Sequence, residues 1–396
     1  MFRIAIIMLI ADRAKFLGLL FGIAFTSFLV TFAASFFCGF MTEGFSLISE
    51  NTAADVWVMD SAVTSVEQTI NMPDSALTRV RSVAGVSYAA PLAMAMVDVR
   101  FSNGAFQSFQ VIGVDDATLR GVPNTAQTRA NQLRAHNAVI VDPGGTSGKL
   151  ETPVSVADQW PHDGAHLGVP TRELKSGDEL LVNEQLVRVL ARSNGLPRFP
   201  PRPLLYTTLS NAARILPGER HRLTFVLVSA VPGVSAKALA ADIEQRTGLR
   251  ARTSADFKAD TVRWFLINSE DVGDIAAMLI LAMTMGFGVT GIMLYMFTYE
   301  NQKQYAVLKA MGATAQTLLK MIFVQAALCA FLGTGMGLGL CGIVGEVVGP
   351  FGFPFRMMWF TPLVGIVGVA LVSLTAAAIS ARPVLKLQPA VVFAGR

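Results

Sequence analysis

The chain has 396 residues, of which 52% are hydrophobic and only 15% charged, with 34 glycines and 26 phenylalanines. That balance excludes an ordinary water-soluble domain and selects the membrane class. The formal charge of +4 does not mark a nucleic-acid binder, because Arg3, Arg13, Lys15, Lys303, Lys309, Lys320, Arg382, Lys386 and Arg396 all stand in short segments beside apolar runs. Those segments carry few acids (Asp12 and Glu300), which is the positive-inside pattern and places the amino terminus, the 300–320 interval and the carboxyl terminus in the cytoplasm. Cys38, Cys329 and Cys341 all fall inside apolar runs, so disulfides are not part of the fold and the cysteines exclude no compartment.

Residues 1–15 are predicted to form an amphipathic cytoplasmic helix, and the uncharged stretch 16–42 the first membrane span. The run is too long for a cleaved signal peptide and lacks a small-x-small site, and Phe37 stands where a lipoprotein signal needs a small residue before Cys38. Phe21, Phe25, Phe28, Phe32 and Phe36 share one helical face. Such a stripe either lines a seam for an apolar substrate between two copies, or simply packs and faces lipid. The second reading is the plainer one.

Residues 43–270 are expected to be one extracytoplasmic α+β insertion. Its ends mirror each other. Strand-like 54–59, helix-like 74–83 and strand-like 86–90 match strand-like 223–229, helix-like 235–247 and strand-like 249–253. Two βαβ-type units flanking a β-rich middle, 97–215, fit a split subdomain carrying a second one. The proline-rich stretch 196–204 reads as a loop rather than a peptide-recognition element.

A second span is predicted at 271–299, a polar interval at 300–313, a third span at 314–345, an external loop at 346–356, a fourth span at 357–381 and a tail at 382–396. The uncharged runs 275–299 and 321–345 each have 25 residues, about 37 Å of helix against a hydrocarbon core of about 30 Å. Gly335 and Gly339 in the third span have the spacing for close helix approach.

The interval between these two runs is organised. Tyr305, Leu308, Met311, Ala315 and Leu318 recur every three or four residues and form an apolar stripe, with Gln302, Lys303, Gln304 and Lys309 off it. Gly312 suits a left-handed helix end and Thr314 an N-cap. The reading is a short surface helix, a turn, and then a spanning helix.

Catalytic chemistry is not visible. The stretch 142–150, DPGGTSGKL, resembles a phosphate-binding loop, but Pro143 stands in place of the first glycine and Leu150 in place of the terminal hydroxyl. His162, Asp163 and His166 have metal-like spacing inside a Pro/Gly-rich segment that reads as a solvated loop. No nucleophile–base set is present, and the uncharged runs hold no ionisable residue for a proton path. The chain is expected to be neither an enzyme nor an ion-coupled pump, and to bind no metal or cofactor.

Glu300, Tyr305, Ala306, Val307, Leu308, Lys309, Ala310, Met311, Gly312 and Ala313 resemble the cytoplasmic signature of FtsX-like permeases, including the MacB-type ABC exporters and, more closely, the permease subunits of heterocyst-glycolipid-type (DevC-like) exporters. Asn301 and Gln304 depart from that pattern, where arginine and an acid are frequent. The resemblance implies four transmembrane helices plus a large periplasmic α+β domain between helices 1 and 2, in the bacterial inner membrane. It makes the interval a coupling helix, with Glu300, Lys303, Gln304, Tyr305, Ala306, Leu308, Lys309, Ala310, Met311 and Gly312 as contacts to a separate P-loop ATPase dimer that holds ATP and Mg. It further implies a homodimer, or a heterodimer with a paralogue, and a periplasmic adaptor leading to an outer-membrane channel. The output would be mechanotransmission for export of a lipid-like or hydrophobic substrate. Signalling to a cell-wall hydrolase and lipoprotein release are the alternatives within the same family.

Overall fold

The computed structural model describes residues 2–123, 126–146, 149–154, 164–216 and 223–385. The chain divides into two units, Met1–Phe40 with Glu270–Arg396, and Met41–Ser269.

The first unit begins with α1 (Phe2–Ala11). Asp12 interrupts it, and its carboxylate accepts the Lys15 N–H at 3.3 Å. Then α2 (Arg13–Gly44) starts, three residues earlier than the uncharged run suggests, because arginine and lysine are good helix formers.

The second unit contains α3 (Ser46–Glu50), β1 (Val56–Met59), α4 (Ser75–Arg81), β2 (Val86–Arg100), β3 (Phe106–Val114), α5 (Gln127–Ala130), β4 (Ala138–Asp142), β5 (Glu151–Pro153), β6 (Thr171–Glu173), β7 (Glu179–Val182), β8 (Gln185–Arg192), β9 (Leu204–Thr208), α6 (Leu209–Ile215), β10 (Phe225–Ala230), α7 (Ala236–Thr247), β11 (Arg250–Thr253) and α8 (Ser254–Asn268). The sheet order is β11-β1-β10-β2-β3-β9-β4-β8-β7, with β7 also pairing β2.

Strands β11, β1, β10 and β2 pair antiparallel in that order. The units β1-α4-β2 and β10-α7-β11 therefore interleave as two split βαβ motifs, a ferredoxin-like plan. In β1, Val56 and Val58 pack with Val80, Leu239 and Ile243. Trp57 and Met59 go to the other face with Phe225 and Phe257. Both faces are covered, so the strand reads as an unbroken apolar run.

The remaining strands close on themselves. Order β2-β3-β9-β4-β8-β7 returns to β2 through Val99↔Val182 and Arg100↔Leu181. This makes a six-stranded barrel filled by Val97, Phe109, Val139, Val189 and Leu205 among others. The barrel is not a separate insertion starting at residue 97, since that boundary falls inside β2. The strand predicted at 86–90 continues through Pro91, which cannot donate to a ladder. Pairing to β3 begins only at Leu92, so Pro91 needs a partner on one side alone.

The first unit resumes with α9 (Glu270–Glu300), α10 (Gln302–Ala310), α11 (Ala315–Val348) and α12 (Thr361–Leu385). Helices α2, α9, α11 and α12 are long and apolar enough to cross a membrane. The protein is an α-helical membrane protein with four such helices and a large α+β domain between the first and second. Helix α2 lies at the centre of the bundle. A Cβ at Gly337 of α11 would stand 2.6 Å from the Ser27 Cβ, and one at Gly333 would stand 2.9 Å from the Ile23 Cβ. The predicted pair Gly335 and Gly339 has open space around it instead. The close approach is made two residues out of register with that pair.

The fourth helix starts at Thr361, not 357. Pro362 sits in its first turn, where a missing N–H costs nothing, and residues 352–360 fold back along α2. Arg356 N–H donates to the Ser35 carbonyl at 3.1 Å. Phe353 packs on Phe36 at 4.7 Å and Phe355 on Phe32 at 5.5 Å.

Candidate partner-docking site

The polar interval folds as its punctuation predicts. Helix α10 ends in a paired cap: Ala313 N–H donates to Leu308 O at 3.0 Å and Gly312 N–H to Lys309 O at 3.1 Å. Gly312 has φ +99°, a conformation that a Cβ disfavours. Thr314 Oγ1 accepts the Thr317 N–H at 3.3 Å and caps α11.

The expected contact residues split between two faces. Tyr305, Ala306 and Leu308 point into the bundle and pack with Leu9, Leu294, Phe297, Leu318 and Ile322. They are core residues, and their assignment as direct partner contacts is corrected accordingly. Lys303, Gln304, Ala310, Met311 and Gly312 face out, Met311 with 72% of its surface exposed, and Lys309 is half-buried; Val307, outside the expected set, faces out beside them. Glu300 is also engaged within the chain, in an ion pair with Lys15, which pairs with Asp12 at 2.5 Å. All three are substantially solvated, so screening leaves the pairs little net stabilisation. They orient the start of α10 more than they stabilise it.

One residue that sequence reasoning missed joins three helices. The Tyr305 hydroxyl donates to Gln325 Oε1 at 3.1 Å, and Gln325 Nε2 donates to the Ala5 carbonyl at 2.9 Å. Burial pushes the Tyr305 hydroxyl up to about 12, so it stays a donor. The signal was a lone glutamine in an otherwise apolar span. The site thus presents a semi-polar outer face on a helix whose inner face is locked to α1 and α11.

The phenylalanine stripe divides as well. Phe21 and Phe25 stack on each other at 6.2 Å and are exposed, while Phe28, Phe32 and Phe36 are half-buried. Phe32 lies against Phe28, Phe353 and Phe355. Its upper part is a packing stripe.

The other candidates resolve into structure. Asp142 occupies the phosphate-loop look-alike: its Oδ1 accepts Gly144 N–H at 2.8 Å and its Oδ2 accepts Gly195 N–H at 2.7 Å. One amide of that stretch, Gly144's, is thus held by a carboxylate of the chain. Ser147 and Gly148 of that stretch, and His162 and Asp163 of the metal-like spacing, lie outside the described residues; among those described no metal-binding cluster occurs. The proline-rich loop is pinned. Glu50 accepts Leu196 N–H at 2.6 Å and Arg198 Nη2 at 2.8 Å, and Arg202 pairs with Glu67. Burial raises the Glu50 pKa against the opposing pull of Arg198.

Residues 276–389 match the family described as FtsX-like permease C-terminal. That segment contains α10. No curated protein matches. Among solved structures, the periplasmic region of MacB from Actinobacillus actinomycetemcomitans is similar at 14% identity and TM-score 0.33, over 55% of this chain and 94% of that one. The extracellular domain of the noncanonic ABC-type transporter YknZ from Gram-positive bacteria is similar at 12% identity and TM-score 0.30, over 50% of this chain and 99% of that one.

Proposed function

We propose that this chain is the permease subunit of an ABC-type exporter, not catalytic itself and energised by a separate dimeric ATPase that carries ATP and Mg. One observation carries the reading. A short helix, α10, sits between two spanning helices with Lys303, Val307 and Met311 outward and Tyr305, Ala306 and Leu308 embedded in the bundle. Exposed apolar side chains on a solvated helix mark a docking face. The family match over 276–389 supports an ATPase as the occupant.

In this reading closure of the ATPase dimer pushes on the outer face of α10. A push there enters the bundle as a displacement of packed side chains, because cores transmit strain. It leaves through α2 and α9, the helices whose chain continues into the extracytoplasmic unit, as a rigid-body movement. The working complex contains two permease chains, with α10 and both termini cytoplasmic and the 43–270 unit periplasmic. It hands a lipid-like or hydrophobic substrate to a periplasmic adaptor and outer-membrane channel.

The test is association. Val307→Asp with Met311→Asp should abolish co-purification of the full chain with its ATPase, leaving expression and helix content unchanged. Retained association refutes the docking face, and ATP hydrolysis by the chain free of any ATPase refutes the permease reading. Recovery of a cell-wall hydrolase instead of an adaptor would redirect the output to signalling.

A further inference from the structure

Helix lengths place the loop at 349–360. Counting outward from Arg382, the uncharged stretch back to Thr361 has 21 residues, about 31 Å of helix, which is the hydrocarbon thickness. The run between Lys320 and Glu346 on α11 reaches the same far boundary. The loop joining these ends therefore lies at the bilayer surface opposite α10.

Its side chains serve two roles, with Phe353 itself packed on one side and 38% exposed. Phe353 and Phe355 pack on Phe36 and Phe32, and a Cβ at Gly345 would overlap the Phe355 ring. The Arg356 amide bonds Ser35 O. The loop is thus fixed to α2 and α11. Yet Phe351 and Trp359 are 76% and 85% exposed, and Met357 and Arg356 are exposed beside them. Among the described residues the Arg356 guanidinium has no ion pair. A rigid loop that holds two large aromatics outward at the lipid–water boundary, next to a cation, has the chemistry of a headgroup contact.

We propose that the 349–360 loop is a lipid-binding surface for the leaflet opposite α10. Phe351, Met357 and Trp359 lie among the upper acyl carbons and carbonyls, and Arg356 binds a lipid phosphate. The proposal rests on the spanning helices alone and is independent of ATPase docking.

The test uses the full chain in phosphatidylcholine bilayers containing lipid brominated at shallow or deep acyl positions. The part of the tryptophan fluorescence lost in W359F isolates Trp359 from Trp57, Trp160 and Trp264. Expected is quenching of that part by shallow bromolipid more than by deep, with little quenching by aqueous acrylamide. Quenching by acrylamide and not by bromolipid overturns the proposal. So does protection from both quenchers that is relieved on dilution to single chains, which makes the surface a contact between copies. In a second arm, native mass spectrometry of R356Q should show fewer retained phosphatidylglycerol molecules than the parent chain. Equal retention removes Arg356 from the site.

Discussion

Gln325→Leu tests whether the joint beneath α10 stabilises the bundle. In the parent chain Gln325 is 1% exposed and bridges the Tyr305 hydroxyl and the Ala5 carbonyl. Leucine leaves the fully buried hydroxyl without its acceptor, which costs about 1–3 kcal/mol, and forfeits the bond to Ala5, worth about 0.5–1.5 kcal/mol. Tyr305→Phe alone orphans Gln325 Oε1 at a similar cost of about 1–3 kcal/mol. The double variant leaves neither atom orphaned at this contact. Both orphan costs are absent from it, so its destabilisation should fall short of the summed singles by roughly 2 kcal/mol or more, and by about 0.6 if the opened state in lipid finds other partners. Denaturation of the full chain in detergent by graded SDS reads all four corners of the cycle. Additive singles would refute the bond as a coupling element. Titration gives an independent check. The folded pKa near 12 lies above the roughly 10 of an exposed tyrosine. The unfolded chain releases its proton first, so stability falls as the pH climbs between those values. Tyr305→Phe should remove that slope.

Three further outcomes follow from packing and charge. Gly337→Ala drives a methyl into Ser27 and Phe28 of α2 and should cost about 1–3 kcal/mol, whereas Gly339→Ala meets open space and should leave the SDS midpoint unchanged. Arg198→Ala removes the partner of a buried carboxylate and should destabilise the extracytoplasmic unit by about 3–5 kcal/mol, read as an early thermal transition. The hydrogen bond from Arg172 holds the Asp178 pKa below its ordinary value. Its contribution is complete above about pH 4 and fades as the pH drops through the lower folded value. Asp178→Asn should flatten that part of the acid-unfolding profile.

What was legible in the chain was local. Apolar length names the spanning helices, and the three-or-four-residue spacing at 305–318 with Gly312 and Thr314 gives α10 and its turn. The inward or outward sense of that stripe was not legible. A short amphipathic helix shows the same periodicity whether its apolar side docks a partner or packs at home. Residues 20 and 320 positions from their partners decided it, Gln325 for Tyr305 and Ala5 for Gln325. Gly335 and Gly339 have the spacing of a packing motif, as do Gly333 and Gly337, and only the neighbouring helix selects between them. Barrel closure rests on two residue pairs between β2 and β7, a signal too small to leave a mark in composition.

Strand β2 has a mechanical consequence for the extracytoplasmic unit. Its 15 residues serve first as the outer strand of the split βαβ sheet and then as a stave of the barrel. No hinge separates the two roles, and each half is hydrogen-bonded along its length. A load applied to the barrel reaches the sheet along this one strand, as through a single spar, with the two ladders meeting at Leu92.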